Sequence, residues 1–171
     1  MHRFAHQIRT SAVAAVAAGT VAGALAVPGP AAANDTFYYV DCTASSNGNG
    51  TYGSPWNNLQ SANNGPGGSS ANPVAYAPGD GIWLRRGTTC AGSLNPRGSG
   101  TSGSPVYIGS YGPGAAAKVD ATGNSYGVKL YNQHHWQIEN LEVSGSQDYG
   151  IWISGDVAGN LDWFRLINLT V

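Results

Sequence analysis

Tyr126-Gly127-Val128-Lys129-Leu130 and Tyr149-Gly150-Ile151-Trp152-Ile153 are one pattern written twice, 149 − 126 = 23 residues apart. The segments that follow also match. Trp136-Gln137-Ile138-Glu139-Asn140-Leu141-Glu142-Val143 corresponds to Phe164-Arg165-Leu166-Ile167-Asn168-Leu169-Thr170-Val171, now 164 − 136 = 28 residues later. The extra residues of the second copy must lie between its matched halves, near Gly155–Asn160, where Gly, Asp and Asn suit an inserted loop. A fixed period with insertions confined to one corner is the signature of a solenoid. Alternation places Val128 and Leu130 inward beneath Ile151 and Ile153, and Ile138, Leu141 and Val143 beneath Leu166, Leu169 and Val171. Asn140 and Asn168 then meet at a corner, where stacked amides can form a hydrogen-bonded ladder.

Working back from the repeat, the chain is rich in short β-branched and aromatic runs separated by Gly, Asn, Ser and Pro. Strands are expected at Phe37–Asp41, Ile82–Leu84, Val106–Ile108 and Lys118–Asp120. One short helix is expected to begin at Ser54-Pro55-Trp56-Asn57-Asn58-Leu59, with Ser54 as cap and proline at the first helical position. The class is all-β. A sandwich would not contain copies of a multi-strand unit, so a parallel β-helix is the preferred architecture.

Residues 1–33 read as a secretory signal peptide. Arg3 and Arg9 precede an apolar small-residue run, and Ala31-Ala32-Ala33 supplies a cleavage site. Removing them leaves 171 − 33 = 138 residues, enough for one domain. The mature part holds six basic and nine acidic residues, a net charge of 6 − 9 = −3. No basic stripe is present and no second apolar run is long enough to span a bilayer, which argues against nucleic-acid and membrane partners. The expected location is extracellular. Cys42 and Cys90 are the only cysteines. One disulfide is the expectation in an oxidising compartment, two buried thiols the alternative.

The order of motifs resembles secreted bacterial right-handed parallel β-helix proteins of the pectate-lyase-like superfamily. The resemblance rests on Tyr38-Tyr39-Val40-Asp41-Cys42, Gly50-Thr51…Ser54-Pro55-Trp56-Asn57-Asn58-Leu59, Pro78 to Cys90, and Gly98-Ser99-Gly100-Thr101…Ser104-Pro105-Val106-Tyr107-Ile108. It implies a right-handed coil, a helix near Trp56 capping the N-terminal end, and action on a polysaccharide. Ser45-Ser46-Asn47-Gly48-Asn49 departs from the acidic residue usual in that loop. On this reading residues 34–125 form the lead-in, cap and first strands. Residues 126–171 are two tandem coils, expected to be truncated within a longer array whose later coils carry the active face.

Alternation turns Lys129 and Trp152 outward on adjacent coils, an aromatic plate beside a cation that suits an acidic sugar. The plain reading places Trp152 under the 155–160 loop and leaves Lys129 as a solvated charge. Asp148, Asp156 and Asp162 flank the same coil. A lyase would need a base such as Lys129 and an enolate-stabilising calcium held by several carboxylates. A hydrolase would need two carboxylates at a set separation. Asp148 and Asp156 are the candidates, although their contexts are also ordinary turn chemistry. Cofactors are otherwise not expected: the two Gly-x-Gly-x-x-Gly stretches, at Gly48 and Gly98, lack a βαβ context. His134-His135 are adjacent, and adjacent strand residues diverge, so a corner position without a metal is expected.

The expected function is a secreted carbohydrate-active protein acting on or binding an acidic polysaccharide, as a lyase ahead of a hydrolase; a non-catalytic glycan- or cell-wall-binding β-helix and an inactive N-terminal fragment of a longer protein are the alternatives. Because the last coil leaves apolar positions open, residues 34–171 alone are expected to self-associate. Sedimentation velocity checks this, and a clean monomer would contradict it.

Overall fold

The structure is a computed structural model that describes residues 35–157 and 161–171. The leader expected at 1–33 and residues 158–160 of the inserted loop lie outside the described residues.

Among the described residues nine strands and one helix follow in order: β1 (Phe37–Val40), α1 (Leu59–Asn64), β2 (Gly81–Arg85), β3 (Thr89–Ala91), β4 (Val106–Tyr111), β5 (Ala117–Asp120), β6 (Tyr126–Tyr131), β7 (Trp136–Ser144), β8 (Tyr149–Ser154) and β9 (Phe164–Thr170). Every pairing between these strands is parallel. Parallel neighbours need a long return path. Here each return path is the rest of a coil, so the chain is a parallel β-solenoid.

Three walls enclose one core. On the first, Tyr38, Ile82, Ile108, Ile138 and Leu166 stack in register. On the second, Cys90, Val119 and Val143 stack. On the third, Leu94 bridges to Val128, which pairs with Ile151. Ile82, Ile108, Ile138, Leu94, Val119 and Val128 are fully buried. Strand β9 pairs only with β7 among the described residues; Leu166 keeps its register with Ile138, and both Leu166 and Val171 are exposed.

β7 serves two walls. Trp136–Ile138 pair with β4, and Leu141–Ser144 pair with β5. Between them Asn140 takes φ 56° and Asn168 of β9 takes φ 49°. Asparagine tolerates this left-handed conformation better than most residues. The turn shifts the alternation by one residue, which is why Trp136 and Ile138 but then Leu141 and Val143 face the core. Asn168 Nδ2 donates to Asn140 Oδ1 at 2.8 Å, so the expected amide ladder forms.

The repeated Tyr-Gly pair has a packing reason. A Cβ on Gly127 would overlap Val143 Cγ1 and the Gly150 carbonyl, and one on Gly150 would overlap Val171 Cγ1. Each glycine is thus a socket for the valine that ends its own repeat.

The N-terminal region differs from expectation at the start of the helix. The helix starts at Leu59, capped by Asn58, whose side chain accepts from Ser61 N at 2.8 Å. Ser54 instead closes a turn on Thr51, and Trp56 pairs with Val40. Trp56 is held there because its buried ring stacks on Tyr38 at 5.5 Å. Strand β3 was too short to show a pattern and is fixed by its pairing to β5. The two Gly-x-Gly-x-x-Gly stretches are two copies of one tight turn, Gly-Thr-x-Gly-Ser-Pro. Thr51–Ser54 and Thr101–Ser104 each form its antiparallel bridge. In both copies a Cβ on either of the first two glycines would run into backbone or side-chain atoms, so the turn itself requires glycine there. Among the described residues no helix is long and apolar enough to cross a membrane.

Cys42 and Cys90 form a disulfide with Cα atoms 5.3 Å apart, tying the end of β1 to β3 across 48 residues. Closing a loop of that length lowers the entropy of the unfolded chain by an amount worth about 4 kcal/mol. The Cys42→Ala/Cys90→Ala double variant should lose about 2–4 kcal/mol of stability in denaturant titrations. A change within the error of the titration would show that the bridge restrains little.

Candidate functional site

The third wall carries the candidate site. Its strands β6 and β8 pair in register, Lys129 beside Trp152. Backbone hydrogen bonds from Leu94 N to Gly127 O and from Lys129 N to Leu94 O fix β6 from the other side. With Val128 and Leu130 fully buried, Lys129 and Tyr131 must face outward. Trp152 does the same from β8.

The ammonium of Lys129 lies among three rings. Nζ is 5.1 Å from the Trp152 ring, 5.4 Å from Tyr126 and 5.8 Å from Tyr131. Trp152 stacks on Tyr131 at 5.9 Å and tilts against Tyr126 at 5.0 Å. Tyr126 in turn stacks on Tyr149 at 6.1 Å. Ring faces carry partial negative charge and attract the ammonium. Among the described residues no carboxylate pairs with Lys129; the ion pairs are Arg85–Asp41, Lys118–Glu142 and His135–Asp162. Lys129 therefore presents a cation held in position and free to meet an anion.

Two open grooves meet at Lys129 and Asn95. One, of about 520 Å³, is lined by Arg97, Ser99, Tyr131, Asn132 and Gln133. The other, of about 480 Å³, is lined by Asn58, Gln60, Asn63, Asn124 and Tyr126. Neither lining includes a carboxylate. Asn63 holds the wall of the second groove, donating to Ser93 O and accepting from Asn95 N. Gln133 is buried, its Nε2 donating to Pro96 O at 2.7 Å, while its Oε1 has no partner. A buried acceptor without a donor is costly and is readily satisfied by a bound hydroxyl.

The aspartates are not gathered into one site. Asp156 accepts from Asn132 Nδ2 at 2.8 Å and its N–H returns to Asn132 Oδ1 at 2.9 Å. Hydrogen bonds from Asn132 and Tyr131 hold its carboxyl below the usual range, and the Tyr131 hydroxyl is pushed up chiefly by bonding to Asp156. That pair holds Asp156 beside Asn132 and Tyr131, two residues that line the first groove. Asp148 is exposed in the turn before β8, its N–H on Ser125 O. Asp162 lies beside His135. Among the described residues these three do not form a group able to share one ion, so they do not fit a calcium for a lyase reaction.

The sequence reading paired Lys129 with Trp152 and missed Tyr131, Tyr126, Arg97 and Gln133. Tyr131 was legible by parity, two residues beyond Lys129. Tyr126 was not, because the Gly127 socket interrupts the alternation between them. His134 and His135 also depart from the sequence argument. They occupy the expected corner, yet their rings converge, with Nδ1 atoms 2.8 Å apart.

No protein-family model matches the sequence, and no curated protein matches it. Among solved structures the chain is similar to the GH136 lacto-N-biosidase from Eubacterium ramulus. The TM-score is 0.59 at 22% identity for the selenomethionine derivative, and 0.58 at 23% for the native protein. Each match covers 78% of this chain and 26% of that one. Likeness at this identity establishes a shared β-helical fold, and the chain spans only about a quarter of that enzyme's length.

Removing the Asn132 donor should raise the Asp156 midpoint toward its ordinary value of 3.8. The sign follows from linkage: a depressed carboxylate contributes stability above its unfolded midpoint, and that contribution disappears as pH falls through the folded one. An NMR titration of the Asp156 carboxylate in Asn132→Ala tests this. An unmoved midpoint would remove Asn132 as the cause.

Proposed function

We propose that this protein is a secreted, carbohydrate-acting β-solenoid of the pectate-lyase-like kind, and that it takes an acidic polysaccharide along the β6–β8 wall. The observation that carries this reading is the Lys129 ammonium, unpaired by any described carboxylate and framed by Trp152, Tyr126 and Tyr131. Sugar rings stack on aromatic faces, and a uronate carboxylate supplies the missing counter-charge, with Arg97 as a second cation in the adjoining groove. The amides of Asn58, Gln60, Asn63, Asn95 and Asn124 offer donors and acceptors to hydroxyls along the other groove. The disulfide and the leader-like N-terminus support an extracellular setting. The β-helical neighbour, itself a lacto-N-biosidase, supports carbohydrate as the ligand class.

Catalysis at the same groove is the second reading. In β-elimination Lys129, as the neutral amine, would take the proton next to the uronate carboxylate while the β carbon–oxygen bond to the neighbouring sugar breaks and that sugar leaves; in hydrolysis Asp156 and Asp148 would serve as the carboxylate pair. The low-lying carboxyl of Asp156 argues against its use as the acid, and the scattered aspartates argue against calcium support. Recognition is the better-supported role.

Binding to polygalacturonate and alginate, with a neutral glucan as comparison, tests the proposal by affinity electrophoresis and calorimetry. Trp152→Ala should weaken binding to the acidic polymer about tenfold, a loss of one good ring stack. Lys129→Gln should weaken it and flatten its salt dependence. Equal binding by Trp152→Ala, or equal affinity for the neutral glucan, would sink the proposal. An unsaturated product in the same mixtures would move the assignment to the lyase reading.

A further inference from the structure

The corner between β6 and β7 lies directly over the corner between β8 and β9, and together they gather three metal-ligating side chains that the glycan reading does not use. His135 N–H donates to Asp162 O at 3.0 Å and Trp136 N–H to Trp163 O at 3.2 Å. His135 and Trp163 both adopt the left-handed conformation, φ 56° and 55°. This repeats at a second corner the arrangement seen at Asn140 and Asn168. The left-handed turn at His135 swings its imidazole back toward that of His134 instead of away from it. The Nδ1 atoms come to 2.8 Å, and His135 Nδ1 lies 3.5 Å from Asp162 Oδ1. One ligand atom from each of the three residues lies within 4.8 Å of the others.

Two of those spacings, 2.8 Å and 3.5 Å, lie near the ligand separations of a coordination shell, and the third is within 4.8 Å. Ligand atoms at about 2.0–2.1 Å in a tetrahedron are separated by about 3.3–3.4 Å. The two closest contacts fall on either side of that value, so a shift of about half an ångström per contact brings them onto it. The backbone around the pair is already fixed: His134 N–H on Ser99 Oγ, Gly100 N–H on His134 O, Val106 N–H on His135 O. Trp163 stacks on the His135 ring at 5.9 Å and limits its rotation. His134 and His135 are partly exposed and Asp162 is exposed, which leaves a path for an ion and room for water as a fourth ligand.

We propose that His134, His135 and Asp162 form a binding site for a divalent transition-metal ion of the zinc class, which ties Asp162 to the corner before β7. Two imidazoles and one carboxylate favour zinc, copper or nickel over calcium and magnesium, which take oxygen shells. None of the three ligating residues lines the grooves at Lys129.

Calorimetry of the full chain, stripped by chelator and titrated with Zn²⁺, tests it, together with the visible spectrum of the Co²⁺ complex. One equivalent should bind, with a tetrahedral cobalt band, and Ca²⁺ should not compete. Asp162→Asn and His135→Ala should each weaken binding at least about tenfold, as loss of a direct ligand exceeds the effect of losing a supporting contact. His134→Gln provides a second test should His135→Ala fold poorly, with circular dichroism as the control, and Asp148→Asn should bind as the parent does. The absence of saturable binding below millimolar zinc would overturn the proposal. So would binding that survives in Asp162→Asn and in whichever histidine variant folds.

Discussion

A parallel strand in this molecule has no hairpin partner; it is satisfied only by the same stretch of the coil before or after it. That constraint fixes register along the stack. Since side chains alternate with a period of two, a slip of one residue in β8 would turn Ile151 and Ile153 to solvent and drive Trp152 into the core. The glycine sockets guard against such a slip. Val143 seats on Gly127 and Val171 on Gly150, contacts that no other alignment would reproduce. Asn140 and Asn168 provide a second index at the opposite corner, where two left-handed residues and one amide hydrogen bond must coincide.

The candidate sites follow from that same alignment. Lys129 meets Trp152 because the coils agree in phase, and Tyr131 joins them because it lies two positions along the same face. At the corner, His134 and His135 meet Asp162 for the equivalent reason, one coil apart. Chemistry here is assembled axially, from neighbouring coils, instead of along one segment. The grooves at Lys129 extend the pattern, since Asn95 and Arg97 come from the coil preceding β6 and Asn58 and Asn63 from the helix beyond it.

What the sequence revealed depends on whether a feature repeats. The register of β6 on β8 and of β7 on β9, and the amide ladder, were legible because both copies are written out. The fold class followed from them. Features with a single copy were harder to read. Trp56 looked like the second residue of a helix, but burial against Tyr38 outweighed the local start signal, and Asn58 took over the cap. Strand β3 carries too few residues to display alternation and exists through β5 and the Cys42–Cys90 bridge. Tyr126 joined the Lys129 cluster only because Gly127 interrupts the alternation. The convergence of His134 and His135 depends on a backbone torsion that residue type does not dictate.

The connection after β8 is longer than its counterpart after β6, yet the strands on either side keep their pairing. Length at this corner is therefore decoupled from the walls. Natural variation or a designer can exchange the segment between Ser154 and Phe164 for another of different size provided that the carbonyls now supplied by Asp162 and Trp163 still meet the N–H groups of His135 and Trp136. The exchange would occur beside both the aromatic groove and the histidine corner. Such a position is where one coil architecture can be given new ligand preferences while its core is inherited unchanged.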